Sequence, residues 1–443
     1  MKKTRLIILS ALSALALTSC LLFKDDDITI ENNFKEKKPI SAQTEPEAHA
    51  GDVGSQTIKI DETEALVFKS IVYSNKADNK IENTYKNLTA NINPNEGQDY
   101  DVDKNNNNFD MYVPKGLNKA DDHTVVLFIH GGAWISGLKT HVNPYVKEFT
   151  KRGYISATLE YTLLANDFEN EHKDLSIFRD LDEIDACLTT MKKCLVEDLG
   201  FTGNLSLVIG GVSSGAHLTM LYSYSRGASS AFGAPKFVIN AVGPTDIQES
   251  VWKAFNYHEG EEEAYAQALE DGIDYDTLSA KADKLRRLPV SGQGYDWTEF
   301  YTMKIANGMC AFPYSPAKIE SLADANKEHI NNPSDPAYVE LVSDADSAEK
   351  LLSVTYHIPS SAKIPMICAY AGEDSVVGVG QYANLQNALK TNGYVQNVDH
   401  SGTTYNNNTF EYYYFKNCGH VNLDSDTTQY NNFIERIVTW LAA

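Results

Sequence analysis

The chain has 443 residues, with 38 basic side chains against 60 acidic ones and a formal charge of −22. So acidic a molecule repels nucleic acid and other anionic polymers at long range, which leaves neutral molecules as the expected partners.

At the front, Lys2, Lys3 and Arg5 precede an apolar run from Leu6 to Leu17, too short for a comfortable membrane span. Residues 1–19 read as a secretory signal peptide. Its end, Leu17-Thr18-Ser19-Cys20, resembles a bacterial lipobox, which implies cleavage before Cys20 and a lipid on the new N-terminus. The expected location is extracytoplasmic, lipid-anchored to a bacterial membrane. Leu21 rather than Asp after the cysteine points to the outer membrane where the cell has one. Residues 20–57 are polar and charged, with Lys24-Asp25-Asp26-Asp27 and Lys35-Glu36-Lys37-Lys38-Pro39, and read as a disordered tether. Residues 58–443 form the remaining domain, in which the stretch from Thr57 to Tyr112 is expected to add edge strands. Asp101, Asp103 and Asn105 have the spacing of calcium-loop ligands. The central glycine is absent and the twelfth position is Tyr112, so a polar turn is the reading.

A buried strand, Val125-Val126-Leu127-Phe128-Ile129, runs into His130-Gly131-Gly132-Ala133-Trp134. Side chains this small let backbone N–H groups face an open site. A second short apolar strand, Leu205-Ser206-Leu207-Val208-Ile209, leads to Gly211-Val212-Ser213-Ser214-Gly215 and then to a plausible helix. A serine on so sharp a strand-to-helix turn holds its hydroxyl out of the fold, and the flanking glycines avoid collision with neighbouring backbone. His217, four residues on, falls on the helix face beneath the turn and reads as a packed residue. Further along, Ile364 to Tyr370 reads as a strand followed by Ala371-Gly372-Glu373-Asp374-Ser375. The last strand, Phe410 to Phe415, leads to Asn417-Cys418-Gly419-His420, where the glycine lets the imidazole turn back. Large residues on both faces of that strand account for its tyrosines.

Together these segments resemble the α/β-hydrolase superfamily, in its esterase and lipase branch related to hormone-sensitive lipase and acetylesterase-like carboxylesterases. The resemblance covers roughly residues 108–247 and 362–443 and extends to Glu160-Tyr161-Thr162-Leu163 and Gly243-Pro244-Thr245-Asp246. Ala133 stands where the commoner loop has a third glycine, and Ser214 where an alanine usually follows the nucleophile; neither removes a backbone N–H. The resemblance implies an α/β fold with a mostly parallel central sheet flanked by helices. It also implies a catalytic order of serine, acid, histidine, placing the acid after the next-to-last strand and the base after the last. Ser213 is then the nucleophile, Asp374 the acid with Glu373 as its rival, and His420 the base, since His400 precedes the last strand. The N–H groups of Gly131, Gly132 and Ser214 would form the oxyanion hole. No cofactor or metal is called for.

Between Asp246 and Ile364 lies a stretch that the resemblance does not cover, an insertion at about 247–361 between the sixth and seventh core strands. It is acidic and mainly helix-forming, with Trp252, Trp297, Tyr301 and Phe312 interspersed, and reads equally as a cap over the site or a peripheral decoration. Cys187 and Cys194 lie two helical turns apart, about 10 Å, too far for a disulfide, so Cys187, Cys194, Cys368 and Cys418 read as packing thiols. Cys310 is undecided.

The expected activity is serine-dependent hydrolysis of a short-chain or carbohydrate-linked acyl or aromatic ester. Its partner is a small ester or an esterified neutral polysaccharide. An amidase of the same fold and a non-catalytic surface binding lipoprotein are the alternatives; Ser213, Asp374 and His420 together argue against the second.

Overall fold

The two apolar runs that flank the small-residue motifs form neighbouring parallel strands at the centre of one sheet. The computed structural model describes residues 55–73, 107–134, 137–161, 177–247, 352–374, 376–377 and 380–443. The expected signal peptide, Cys20, nearly all of the tether, Asp101 to Asn105, Cys310 and residues 248–351 of the insertion lie outside the described residues.

The strands are β1 (Gln56–Ile60), β2 (Thr63–Val72), β3 (Asn108–Pro114), β4 (His123–Ile129), β5 (Ile155–Glu160), β6 (Leu205–Val212), β7 (Val238–Ala241), β8 (Met366–Ala371), β9 (Val395–Gln396) and β10 (Thr409–Phe415). Their order across the sheet is β1-β2-β3-β5-β4-β6-β7-β8-β10-β9. The front extension supplies one edge, where β1, β2, β3 and β5 pair antiparallel in turn. From β5 through β4, β6, β7, β8 and β10 to β9 every pairing is parallel.

Parallel strands need crossovers, and these put helices on both faces of the sheet. On one face α1 (Asn143–Lys151) and α5 (Thr427–Leu441) pack Tyr145, Phe149, Phe433 and Trp440 against Phe128, Ile239 and Phe415. On the other, α2 (Ile177–Lys193), α3 (Ser214–Ser225) and α4 (Gly380–Thr391) bring Ile184, Leu188, Leu218 and Leu385 onto Leu127, Ile209 and Cys368. Covered on both sides, β8 is buried at every position and β4 at its last five. β8 begins two residues later than its apolar run, at Met366 rather than Ile364. Pro365 has no N–H to give the ladder, although its carbonyl accepts the N–H of Val238 at 2.9 Å. Cys187, Cys194, Cys368 and Cys418 are buried free thiols, as expected. Among the described residues no helix is long and apolar enough to cross a membrane.

β10 carries large residues on both faces. Tyr412 stacks on Tyr382 on one side, while Tyr413 and Phe415 meet Phe433 on the other. Glu411 shares that second face and is fully buried. Arg436 of α5 meets it with Nε at 2.8 Å and a terminal nitrogen at 2.5 Å, and also reaches the carbonyls of Ser401 and Gly402. Burial alone would raise the Glu411 carboxyl, but the hydrogen bonds of Arg436, His400 and Asn397 and the charge of Arg436 hold it below the usual value. Replacing Arg436 by methionine leaves that carboxylate buried and uncompensated and is expected to cost about 3–5 kcal/mol in urea unfolding at pH 7. A depressed carboxyl stabilises the fold above its unfolded value, about 4.3, and the contribution fades as pH falls through the lower folded value. Without Arg436, burial raises the Glu411 carboxyl, so the gap between wild type and Arg436→Met should narrow as pH falls from neutrality through the wild type's depressed folded value. A gap that stays constant on acidification would show that Glu411 is not the group responsible.

Candidate active site

β6 ends at Val212 and α3 begins at Ser214, so Ser213 alone makes the turn between them. Its backbone sits at φ 54°, ψ −124°, a conformation that costs an L-residue about 1–3 kcal/mol. The surroundings hold it there. The Ser213 N–H donates to Ala241 O of β7 at 2.9 Å, and its carbonyl accepts the N–H of His217 at 3.0 Å, starting α3. A Cβ on Gly211 would lie 2.5 Å from the backbone of Gly215, and one on Gly215 2.3 Å from the carbonyls of Ile129 and His130. The two glycines let the turn pack directly on β4.

The acid and base loops are laced together at the ends of β8 and β10. Gly372 N–H donates to Phe415 O at 2.9 Å and Glu373 N–H to Cys418 O at 3.0 Å. Gly419 N–H is taken up by Asn422 Oδ1 at 2.6 Å. These bonds turn the Glu373 side chain to solvent and bury Asp374 completely. Asp374 Oδ2 stands 2.7 Å from His420 Nδ1, and His420 Nε2 stands 2.8 Å from Ser213 Oγ. The other carboxylate oxygen, Oδ1, accepts the N–H groups of Val376 and Val377, both at 2.8 Å. A carboxylate can only accept, so Nδ1 carries the imidazole proton and Nε2 is left to accept from the serine. His400 lies elsewhere, against Tyr413 and Glu411.

The loop after β4 comes close to the serine. A Cβ on Gly131 would fall 2.9 Å from Ser213 Cβ, and both residues line the same cleft. Ser214 is the first residue of α3, where the N–H has no partner within the helix and the helix dipole is positive. Ala133 and Trp134 both take positive φ, 52° and 61°, so the alanine in place of glycine keeps the backbone N–H but carries backbone strain. Trp134 meets His217 edge-on, with centroids 5.2 Å apart. His217 is a packed residue. Its Nε2 donates to Leu352 O at 2.8 Å, where the chain returns from the insertion, and burial pushes its pKa down to about 4.

The cleft beside Ser213 holds about 590 Å³ of empty space, counting the open solvent at its mouth. His141, Tyr145, Asp424 and Tyr430 line it and belong to no sequence motif. His141 and Asp424 come from the turns before α1 and α5, and Tyr145 and Tyr430 from those helices themselves, so only their nearness to the motif loops could have drawn attention to them. Burial pushes His141 down to about 3, and its Nδ1 accepts the N–H of Leu138 at 3.1 Å, so it presents a neutral ring.

A sharp serine turn between a parallel strand and a helix, with an acid after one later strand and a histidine after the last, decides the architecture. The fold is that of the α/β-hydrolases. Residues 109–176 match the BD-FAE family model, an α/β-hydrolase esterase family. No curated protein matches the sequence. Among solved structures, a truncated carbohydrate esterase from gut microbiota is 13% identical, with 76% of this chain and 91% of that one covered and a TM-score of 0.46. Esterase B from Lactobacillus rhamnosis is 13% identical, with 78% and 84% covered and a TM-score of 0.44. Esterase 2 of Thermogutta terrifontis is 14% identical, with 75% and 86% covered and a TM-score of 0.43.

Proposed function

We propose that this α/β-hydrolase is a serine carboxylic-ester hydrolase, acting through an acyl-enzyme on short-chain or carbohydrate-linked acyl or aromatic esters. The observation that carries the reading is the line Ser213–His420–Asp374, with contacts of 2.8 and 2.7 Å and with the far carboxylate oxygen saturated by backbone N–H groups. Ser213 Oγ bonds to the ester carbonyl carbon as its proton passes to His420 Nε2. Asp374 stabilises the imidazolium. The oxyanion is met by the N–H groups of Gly131, Gly132 and Ser214, each such donor being worth roughly 3 kcal/mol. Collapse breaks the bond to the leaving alcohol, which takes the proton from Nε2. Water then repeats the sequence on the acyl-serine and releases the acid and the free enzyme.

The lipobox-like end of the leader supports an extracytoplasmic enzyme held to the membrane through Cys20. A charge of −22 favours neutral substrates, among them esterified neutral polysaccharides at the cell surface. The test is hydrolysis of p-nitrophenyl acetate, butyrate and octanoate by protein lacking residues 1–20, beside the matching anilides and an acetylated or feruloylated polysaccharide. Ser213-dependent ester turnover is the expected result, and the chain-length profile reports the depth of the acyl pocket. Anilide cleavage without ester cleavage would make it an amidase; no turnover of any would make it a binding protein. For the anchor, Cys20→Ser should move the protein from the membrane fraction to the soluble one and abolish incorporation of labelled palmitate.

A further inference from the structure

We propose that Glu160 is a positioning residue for the oxyanion loop, clasping both ends of it and acting on the Gly131–Gly132 peptide through His130. The proposal rests on the esterase reading. Glu160 ends β5, the strand beside β4, and is 5% exposed. Its Oε2 accepts the backbone N–H of Lys139, beyond the loop, at 2.9 Å. Its Oε1 stands 3.4 Å from Nε2 of His130, where the loop begins. A single buried carboxylate therefore meets the chain on both sides of residues 131–138.

The His130 ring is fully buried and stacked on Tyr161, with centroids 4.4 Å apart and 16° between the planes. Its Nδ1 lies 2.8 Å from Gly131 O. A carbonyl oxygen only accepts, so Nδ1 bears a proton. Nε2 then faces a carboxylate oxygen of Glu160 across a buried gap of 3.4 Å. The other charges around the loop have their own partners. The Lys139 ammonium is also buried, 2.7 Å from Asp110 Oδ1, and donates to Ser70 Oγ at 3.0 Å and to Asn108. With Lys139 matched to Asp110, His130 Nε2 is the group left facing Glu160 Oε1.

The consequence falls on the peptide between the two glycines. His130 holds the Gly131 carbonyl to its own side, and in a planar trans peptide the N–H of Gly132 must point the other way. Gly131 lines the cleft with Ser213, whereas His130 is buried and does not line it. The grip of Glu160 on the imidazole thus becomes an orientation of an oxyanion donor, which matters more in the transition state than in substrate binding.

The experiment compares Glu160→Ala, the near-isosteric Glu160→Gln, His130→Asn and the double variants on p-nitrophenyl acetate. Folded sites are counted by titration with an alkyl p-nitrophenyl phosphonate that labels Ser213. Glu160→Ala is expected to lower kcat per folded site by about 30-fold, with KM within about threefold. Glutamine keeps an acceptor for Lys139 but loses the negative charge that faces His130 Nε2, so it should recover only part of the rate. In the His130→Asn background either change at Glu160 should move kcat less than about twofold. Should the alanine variant not fold, the glutamine variant and its double carry the test. Wild-type kcat per folded site in a Glu160 variant, or losses that multiply independently of His130, would overturn the clasp while leaving the esterase intact. A wild type that neither turns over esters nor is labelled at Ser213 would overturn both.

Discussion

Ser213→Ala is expected to lower kcat on p-nitrophenyl acetate by about 10⁶-fold while leaving the fold unchanged. The size of the loss follows from the chemistry. Without Oγ there is no covalent intermediate, and neither His420 nor Asp374 has a nucleophile to serve; in a unit of this kind, losing the serine costs about as much as losing all three. What remains is whatever rate the oxyanion donors and simple binding supply to attack by water. The fold should survive because alanine keeps the Cβ and the same φ of 54°, and the Ser213 N–H keeps its bond to Ala241. Thermal unfolding of the variant should therefore lie within a few degrees of wild type, and phosphonate labelling should vanish. Glycine at the same position would be as inactive, but it adopts the turn without strain and should be more stable than alanine by about 1 kcal/mol. Residual turnover above about one percent in the alanine variant would mean that another group attacks the ester.

Much of this site is legible in the sequence alone. The serine turn shows in the sequence because close backbone approach admits only glycine at Gly211 and Gly215, and because a short apolar run followed by helix-forming residues marks the strand and helix on either side. His420 shows because a glycine precedes it after the last strand. Other features are decided by partners far along the chain. Glu373 and Asp374 are adjacent carboxylates, and composition cannot separate them. The choice is made by two backbone bonds to Phe415 and Cys418, more than forty residues away in sequence, which turn one side chain out and the other in. Glu160 is noted in sequence only as part of a resemblance. Its contacts with His130 and Lys139 exist because β5 lies beside β4, a pairing that no local pattern specifies. The cleft walls at Tyr145 and Tyr430 come from helices on one face of the sheet, whose apolar stripes look like any other core-facing stripe. The motifs are local because their chemistry demands special backbone, whereas ordinary side chains acquire their roles from topology.

Asp374→Asn is expected to lower kcat by about 10⁴-fold with the geometry almost unchanged, and the cause is the direction of one proton. In the native site Oδ1 accepts two backbone N–H groups, from Val376 and Val377, each at 2.8 Å. An asparagine side chain has one oxygen and one amide nitrogen, and only the oxygen can accept those two donors. Its NH₂ must then take the place of Oδ2, 2.7 Å from His420 Nδ1. Facing a donor, Nδ1 has to be the unprotonated nitrogen, so the proton moves to Nε2. An Nε2–H cannot take the hydroxyl proton of Ser213. The two backbone bonds thus convert a near-isosteric substitution into a tautomer lock, which a more loosely held carboxylate would escape by rotating. The expected readouts are a kcat loss of that order, a KM within a few fold of wild type, and loss of the low-field Nδ1 proton signal of His420 in NMR. If the variant kept more than about a tenth of the activity, the side chain would be free to flip, and orientation by Val376 and Val377 could not be what commits Asp374 to His420.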